Sequence, residues 1–124
     1  MVIRDIKLIF SLFIMSSTIF RVNAQEAGIE FFKGSFQEAL DKAKSEDKLI
    51  FMDAFTTWCG PCRRMSSSVF PDPAVGDFYN QNFINLKVDM EKGEGPTLSS
   101  KYSVASYPTL LYIDFNGKIV HRSS

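Results

Sequence analysis

The chain has 124 residues, of which 45% are hydrophobic and 23% are charged, and its formal net charge is zero. This composition is too apolar for an intrinsically disordered protein. The balanced charge provides no electrostatic basis for binding nucleic acid. The length fits a single domain. Two cysteines are too few for a disulfide-stapled scaffold or a four-cysteine zinc site.

The N-terminal region has the three parts of a secretory signal peptide. Arg4 and Lys7 form a short basic start, residues 8–20 are apolar with a few hydroxyl groups, and small residues follow up to Ala24. We predict cleavage after Ala24 and export of the mature domain, residues 25–124, to the periplasm or out of the cell. The 13-residue apolar run is short for a membrane span, which needs about 20 residues. A retained N-terminal anchor is the alternative.

Cleavage would leave 100 residues with 11 basic and 13 acidic side chains, because Arg4, Lys7, Arg21 and Asp5 are removed. The mature chain would therefore be mildly acidic, with a net charge of −2. Both cysteines lie in it, and export would place them outside the reducing cytosol. If the first 24 residues are not a signal peptide, we interpret the chain as a cytoplasmic protein.

The mature chain is predicted to alternate strands and helices. A short apolar run at 29–32 predicts a first strand. Ser35 and Glu38 have the spacing of a capping box, and apolar residues at helical spacing follow it. The nearly continuous apolar run at 48–55 predicts a strand buried on both faces, although Asp53 interrupts it.

The later elements complete an α/β fold. We predict a helix at 59–69, a helical turn or two at 74–79 after a break at two prolines, a strand at 83–89, a short helix at 97–102, and strands at 109–114 and 118–122. Asn116-Gly117 is the strongest short hairpin signal and lies between the last two strands. Helical crossovers imply parallel pairing and the hairpin implies antiparallel pairing, so a mixed central sheet flanked by helices is expected.

The candidate chemistry lies in the sequence Trp58-Cys59-Gly60-Pro61-Cys62, which follows a buried strand and opens a helix. At the helix N-terminus, unpaired N–H groups and the helix dipole favour a thiolate at Cys59. Such surroundings lower a thiol pKa from about 8.5 to roughly 3.5–7.5. Cys62, expected to be more buried, would keep its proton and resolve a mixed disulfide formed by Cys59. Pro61 has no N–H to lose in the first turn, and Gly60 keeps the approach open.

Two other uses of the cysteine pair are less favoured. Zinc would need two further ligands, and the only histidine, His121, is near the chain end. A structural disulfide across two residues closes a small loop and stabilises little. We therefore predict redox chemistry with neither a metal nor a cofactor.

At this point a family resemblance can be stated. Residues 53–65, DAFTTWCGPCRRM, resemble the active-site pattern of the thioredoxin family, and residues 104–109, VASYPT, resemble its second signature. The chain resembles the secreted thioredoxin-like proteins of bacteria, and the matching segments follow the same order along the chain from Phe31 to Arg122. The resemblance implies a thioredoxin-like fold.

The resemblance also implies roles for single residues. Asp53 would be the family's buried acid, with a pKa raised by desolvation, and would relay protons through water for Cys62. The alternative is a structural aspartate that caps the loop before the motif. Pro108 would be a cis-proline beside the cysteines, and the backbone of Tyr107 would pair with the substrate peptide. Trp58 would be partly exposed and cover the site. The alternative for Pro108 is an ordinary trans-proline, and the alternative for Trp58 is a core tryptophan.

This sequence departs from the family pattern near the site. Many thioredoxins carry a lysine that faces the buried acid, and Asn85 is expected to replace it here, which would raise the pKa of Asp53 further. Phe55 stands where many members have a second tryptophan. Arg63 and Arg64 add positive charge near the motif, where they either favour the thiolate or face solvent.

A further departure is at the end of the chain. Family members close with another helix, whereas this sequence stops at Ser124, just after the last predicted strand. We expect the C-terminal helix to be missing because the sequence is a fragment. One face of the sheet would then expose an apolar patch larger than monomers usually tolerate.

These features predict a thiol–disulfide oxidoreductase that reduces protein disulfides outside the cytoplasm. The Gly60-Pro61 dipeptide resembles that of the reducing family members. A membrane electron donor would renew the dithiol, because an oxidising compartment has no thiol pool. The expected state is a monomer. A disulfide oxidase or isomerase, and a non-catalytic peptide-binding module, are the alternatives.

Overall fold

The computed structural model describes residues 27–124. The predicted signal peptide lies outside these residues. In chain order the elements are α1 (Phe36–Glu46), β1 (Leu49–Phe55), α2 (Gly60–Arg64), a π-helical turn (Met65–Val69), α3 (Pro73–Asn82), β2 (Phe83–Asp89), α4 (Gly95–Lys101), β3 (Thr109–Ile113) and β4 (Ile119–Ser123).

The strands form one four-stranded sheet in the order β2–β1–β3–β4. β1 and β2 are parallel, whereas β1 with β3 and β3 with β4 are antiparallel. This confirms the predicted mixed sheet. β4 is the last element described, and the missing C-terminal helix stays a prediction. Within the described part of the chain, no helix combines the length and apolarity needed to cross a membrane.

α1 begins where its capping box predicts. The Ser35 hydroxyl accepts the Glu38 N–H at 3.1 Å, and the Glu38 carboxylate accepts the Ser35 N–H at 3.4 Å. A second carboxylate, that of Glu94, accepts the N–H of Phe36 at 2.9 Å. Glu94 directly precedes α4, so this hydrogen bond joins the starts of two helices through residues that are 58 positions apart in the chain. The face of α1 that packs into the core carries Phe36, Ala39 and Ala43.

The predicted strand at 29–32 is not formed. The Ile29 N–H donates to the Phe70 carbonyl at 2.8 Å, and the Phe32 N–H donates to the Asn85 carbonyl at 2.7 Å. These acceptors belong to different elements, so the segment cannot build a strand ladder. The segment is held instead by a close approach between Gly28 and Gly76 of α3. A Cβ added to Gly76 would collide with the backbone of Gly28.

The helix after the two prolines is longer than predicted. α3 spans ten residues from Pro73 to Asn82. The Asp72 carboxylate accepts the N–H groups of Ala74 at 2.8 Å and Val75 at 3.2 Å. Pro73 therefore occupies the first helical position, where a missing N–H costs nothing. Pro73 thus begins α3 and also separates it from the π-helical turn before it.

The central strand β1 is buried on both faces, as predicted. Its residues from Ile50 to Ala54 are all buried. One face packs with α1 and α4 in the main apolar core. On the other face the ring of Phe51 contacts four aromatic rings at centroid distances of 4.8–6.5 Å: those of Phe70, Tyr79, Phe83 and Tyr112. The position of β1 at the centre fixes where the following loop leaves the sheet.

Candidate active site

The two cysteines lie at the start of α2, joined by a disulfide with a Cα–Cα distance of 5.3 Å. Cys59 is the N-cap residue, and its Sγ accepts the N–H of Cys62 at 3.1 Å. Pro61 is in the first helical turn, as expected. Cys59 is 4% exposed and Cys62 is 3% exposed. The expected difference in burial is therefore nearly absent, because one short turn and one disulfide hold both side chains together.

The sheet brings the second sequence motif to the cysteines. Ala54, near the end of β1, pairs with Thr109, at the start of β3. The segment that enters β3 therefore lies beside the loop that leaves β1 for α2. The Tyr107–Pro108 peptide bond in this segment is cis, as the family resemblance implies, and not trans. Gly60 and Pro61 are the first two residues of α2. They therefore lie at the same end of the sheet as the Tyr107–Pro108 segment.

Trp58 is 63% exposed, which agrees with a surface position and excludes a core tryptophan. Its indole N–H donates to the Glu91 carboxylate at 2.5 Å. Its ring contacts the ring of Tyr107 edge-on, with centroids 5.7 Å apart. The hydrogen bond to Glu91 and the ring contact with Tyr107 together fix the orientation of the Trp58 side chain. Glu91 was not predicted, since the sequence shows it only as one charge in a loop.

Asp53 is 1% exposed, in the middle of β1. Neither carboxylate oxygen has a hydrogen-bond partner among the described residues. This excludes the alternative of an aspartate that caps the loop. Burial raises the pKa of Asp53 from 3.8 to about 6, and the positive charge of Lys87 partly opposes this increase.

Lys87, rather than Asn85, is opposite the buried acid. In the parallel register of β1 and β2, Asp53 faces Lys87, and Asn85 faces Phe51. The expectation that Asn85 stands opposite Asp53, with no cation there, is therefore wrong, because Lys87 occupies that position. Asn85 is buried, and its amide donates to the carbonyl of Tyr79 at 3.2 Å, which connects β2 to α3.

The ammonium group of Lys87 lies over three aromatic rings. It is 5.1 Å from the ring centroid of Phe55 and 5.9 Å from those of Phe31 and Phe70. It also donates a hydrogen bond to the hydroxyl of Ser66 in the π-helical turn. Cation–π contacts of this kind stabilise by about 0.5–1 kcal/mol at exposed sites. They hold the one cation that lowers the pKa of Asp53.

A family model named Thioredox_DsbH, described as a protein of unknown function (DUF255), matches residues 12–109. The chain belongs to this thioredoxin-like family.

Two curated relatives and one solved structure are similar to this thioredoxin-like protein. Thioredoxin-1 of Drosophila melanogaster is 36% identical over 75 residues, which cover 60% of this chain and 65% of the relative. The thiol:disulfide interchange protein DsbD of Pseudomonas fluorescens is 30% identical over 82 residues, which cover 65% of this chain and 14% of the relative. The chain thus spans slightly less than two thirds of that thioredoxin and a small part of DsbD.

The solved structure is from Bacteroides thetaiotaomicron, a solution structure of a candidate disulphide-isomerase. It is 57% identical, with a TM-score of 0.70, and the match covers 80% of this chain and 82% of the other. This similarity, together with the family match, supports the thioredoxin-like fold predicted from the sequence.

Metal ligands are not gathered anywhere in residues 27–124, which contain no group of three or more His, Cys, Asp or Glu side chains able to hold an ion. His121 is exposed on β4, with its ring centroid 5.5 Å from that of Tyr112. It lies on an edge strand of the sheet, two strands away from β1.

The pKa of Asp53 predicts a pH-dependent stability. The unfolded chain ionises this carboxyl group near pH 3.8, whereas the folded protein ionises it near pH 6. The contribution of this carboxyl group to stability is therefore greatest below about pH 4 and is lost as the pH rises through about 6. The total loss is about 3 kcal/mol, from about 1.4 kcal/mol per tenfold change in the ionisation constant.

Asp53→Asn should remove this loss. We expect the oxidised variant to be about 2–3 kcal/mol more stable than the wild type at about pH 8, and no more stable at about pH 4. Urea unfolding across this pH range measures the difference. Asp77→Asn, on the exposed surface of α3, is the matched control and should follow the wild type. A parallel pH dependence for wild type and Asp53→Asn would contradict the prediction.

Proposed function

We propose that this protein is a thiol–disulfide oxidoreductase that reduces the disulfides of protein substrates. The observation that carries the proposal is the position of Cys59, bonded to Cys62 at the start of α2 with its Sγ accepting a backbone N–H. In the reduced protein a thiolate at Cys59 can accept the same N–H in a stronger, charge-assisted hydrogen bond. The names of the thioredoxin and thiol:disulfide interchange relatives support the same chemistry.

The proposed reaction has two exchange steps. The Cys59 thiolate attacks one sulfur of the substrate disulfide, and a bond from Cys59 to that sulfur forms as the substrate S–S bond breaks. The departing substrate thiolate takes a proton from water. Cys62 then loses its proton and attacks the Cys59 sulfur, so that the bond from Cys59 to the substrate breaks. The second substrate sulfur leaves as a thiolate and takes a proton from water. One protein dithiol becomes a disulfide, and one substrate disulfide becomes two thiols.

Asp53 is proposed to accept the Cys62 proton through water. Two features support this role: its carboxylate has no hydrogen-bond partner among residues 27–124, and its pKa is about 6. A base with a pKa near the working pH exchanges protons most effectively.

The substrate peptide is proposed to bind over the motif. Trp58, Gly60 and Pro61 would contact it from one side, and Tyr107 and Pro108 from the other. The edge-on contact of the Trp58 and Tyr107 rings supports a continuous surface here.

Cysteine variants test the chemistry. Cys59→Ser should lower the rate of insulin reduction by roughly 100-fold or more, because the nucleophile is lost. Cys62→Ser should retain the first attack and accumulate a mixed disulfide at Cys59, which mass spectrometry of the non-reduced protein detects.

The control for both variants is the wild type reduced with dithiothreitol, whose unfolding temperature the variants should share. A non-catalytic peptide-binding module would give a different result. The wild type would not reduce insulin, and Cys59→Ser would bind peptide as the wild type does.

A disulfide oxidase or isomerase is the second candidate, and the 57% identical Bacteroides protein favours it by its name. Equilibrating the Cys59–Cys62 pair with glutathione buffers separates the candidates. We expect a reduction potential near about −270 mV, as for a reductase. A value of about −120 to −180 mV would reverse the proposed direction, because it means that the dithiol form is strongly stabilised.

The site of action is proposed to be outside the cytoplasm, with a membrane donor of electrons. The signal-like residues 1–24 support export. Expression of the full chain in a bacterial host, followed by fractionation and N-terminal sequencing, tests this proposal. We expect an extracytoplasmic protein that begins at Gln25. A full-length product in the cytoplasm would overturn it.

A further inference from the structure

Arg64 places its guanidinium group beside Gly60 of the redox motif. One of its terminal nitrogens lies 3.6 Å from the position that a Cβ on Gly60 would occupy. Residues four apart on a helix are neighbours, so the arginine extends back along α2 towards its start. Gly60 is the residue directly after the nucleophile. A Cβ there would be in ordinary van der Waals contact with this nitrogen, so the guanidinium lies beside the residue that follows Cys59.

Among residues 27–124 the arginine side chain has no ion-pair or hydrogen-bond partner that accounts for this position. The ion pairs in the described part of the chain are those of Lys42 and Lys48 with Glu46, on and just after α1. A favourable interaction with the helix dipole is weak here as well. α2 continues directly into the π-helical turn at Met65, so its last carbonyl groups are not a free helix end.

The charges around the motif are distributed unevenly. The first turn of α2 has no acidic residue. The nearby carboxylate of Glu91 is engaged by the indole N–H of Trp58. Arg64 is exposed and, within residues 27–124, forms no ion pair. A group that approaches Cys59 over Gly60 therefore meets an available guanidinium.

We infer that Arg64 is a specificity-determining residue that binds a carboxylate close to the substrate disulfide. The inference rests on the proposed function. A substrate sulfur must come within bonding distance of the Cys59 sulfur, which brings the neighbouring groups of the substrate next to Gly60. The planar guanidinium can pair with a carboxylate through two parallel hydrogen bonds. The favoured substrates are therefore proteins whose disulfides have Asp or Glu nearby.

Three small disulfides of different charge test the inference. The reduced protein, freed of dithiothreitol, is mixed with oxidised glutathione (anionic), hydroxyethyl disulfide (neutral) or cystamine (cationic). Trp58, the only tryptophan, reports oxidation of the adjacent pair by its fluorescence. Arg64→Gln should lower the rate ratio of anionic to neutral disulfide by about two- to five-fold, the size of an exposed ion pair. The ratio of cationic to neutral disulfide should rise.

Matched variants separate binding from general effects of charge. Arg63→Gln removes the same charge from the neighbouring position and should leave both ratios as in the wild type. Arg64→Lys keeps the charge without the planar guanidinium and should retain part of the preference. The effect of Arg64→Gln should shrink at about 1 M salt, where screening acts within about 3 Å.

The inference is overturned if Arg64→Gln leaves both ratios unchanged. It is also overturned if the variant slows all three disulfides equally, because Arg64 would then act on the Cys59 thiol or on the fold. Two synthetic peptide disulfides that differ only in Glu or Gln beside the cysteine should show the same preference in the wild type. Failure of the proposed function has a separate signature, since the wild type would then react with the neutral disulfide no faster than a free thiol does.

Discussion

The pairing of β1 with both of its neighbours is the constraint on which the site depends. On one side Ala54 of β1 faces Thr109 of β3, which brings the Pro108 segment to the loop that carries Cys59. On the other side Asp53 faces Lys87 of β2. A shift of either register by one residue would move these side chains to the opposite face of the sheet. The burial of β1 on both faces specifies the registers, because its apolar side chains must fill both cores.

The same burial creates a conflict at Asp53. A carboxylate without hydrogen-bond partners is unfavourable in an apolar strand, and the raised pKa expresses that cost. Lys87 reduces the cost without a direct ion pair, from a position over the rings of Phe31, Phe55 and Phe70. The protein therefore gives up stability near neutral pH at the position where the proposed mechanism needs a base. Functional sites commonly break local rules of stability in this way.

The differences between the predicted and observed structures have specific physical causes. The apolar segment at 29–32 meets the criterion for a strand, but its hydrogen bonds go to two separate elements. The sequence pattern predicts a break at Pro73, whereas the Asp72 carboxylate makes it the first residue of α3. The mistaken choice of Asn85 has another origin. Asn85 and Lys87 are two residues apart and therefore on the same strand face, so only the register with β1 decides which of them faces Asp53.

The sequence by itself determined the features that depend on near neighbours along the chain. The capping box at Ser35, the buried strand at 49–55, the Asn-Gly hairpin and the Cys-Gly-Pro-Cys helix start are all of this kind. Only the tertiary structure decided which distant side chains meet. It places Lys87 opposite Asp53, joins Glu91 to Trp58, and leaves Arg64 free beside Gly60 within the described chain. Spacing along a strand or helix fixes the face of a residue, whereas its partner depends on register and packing.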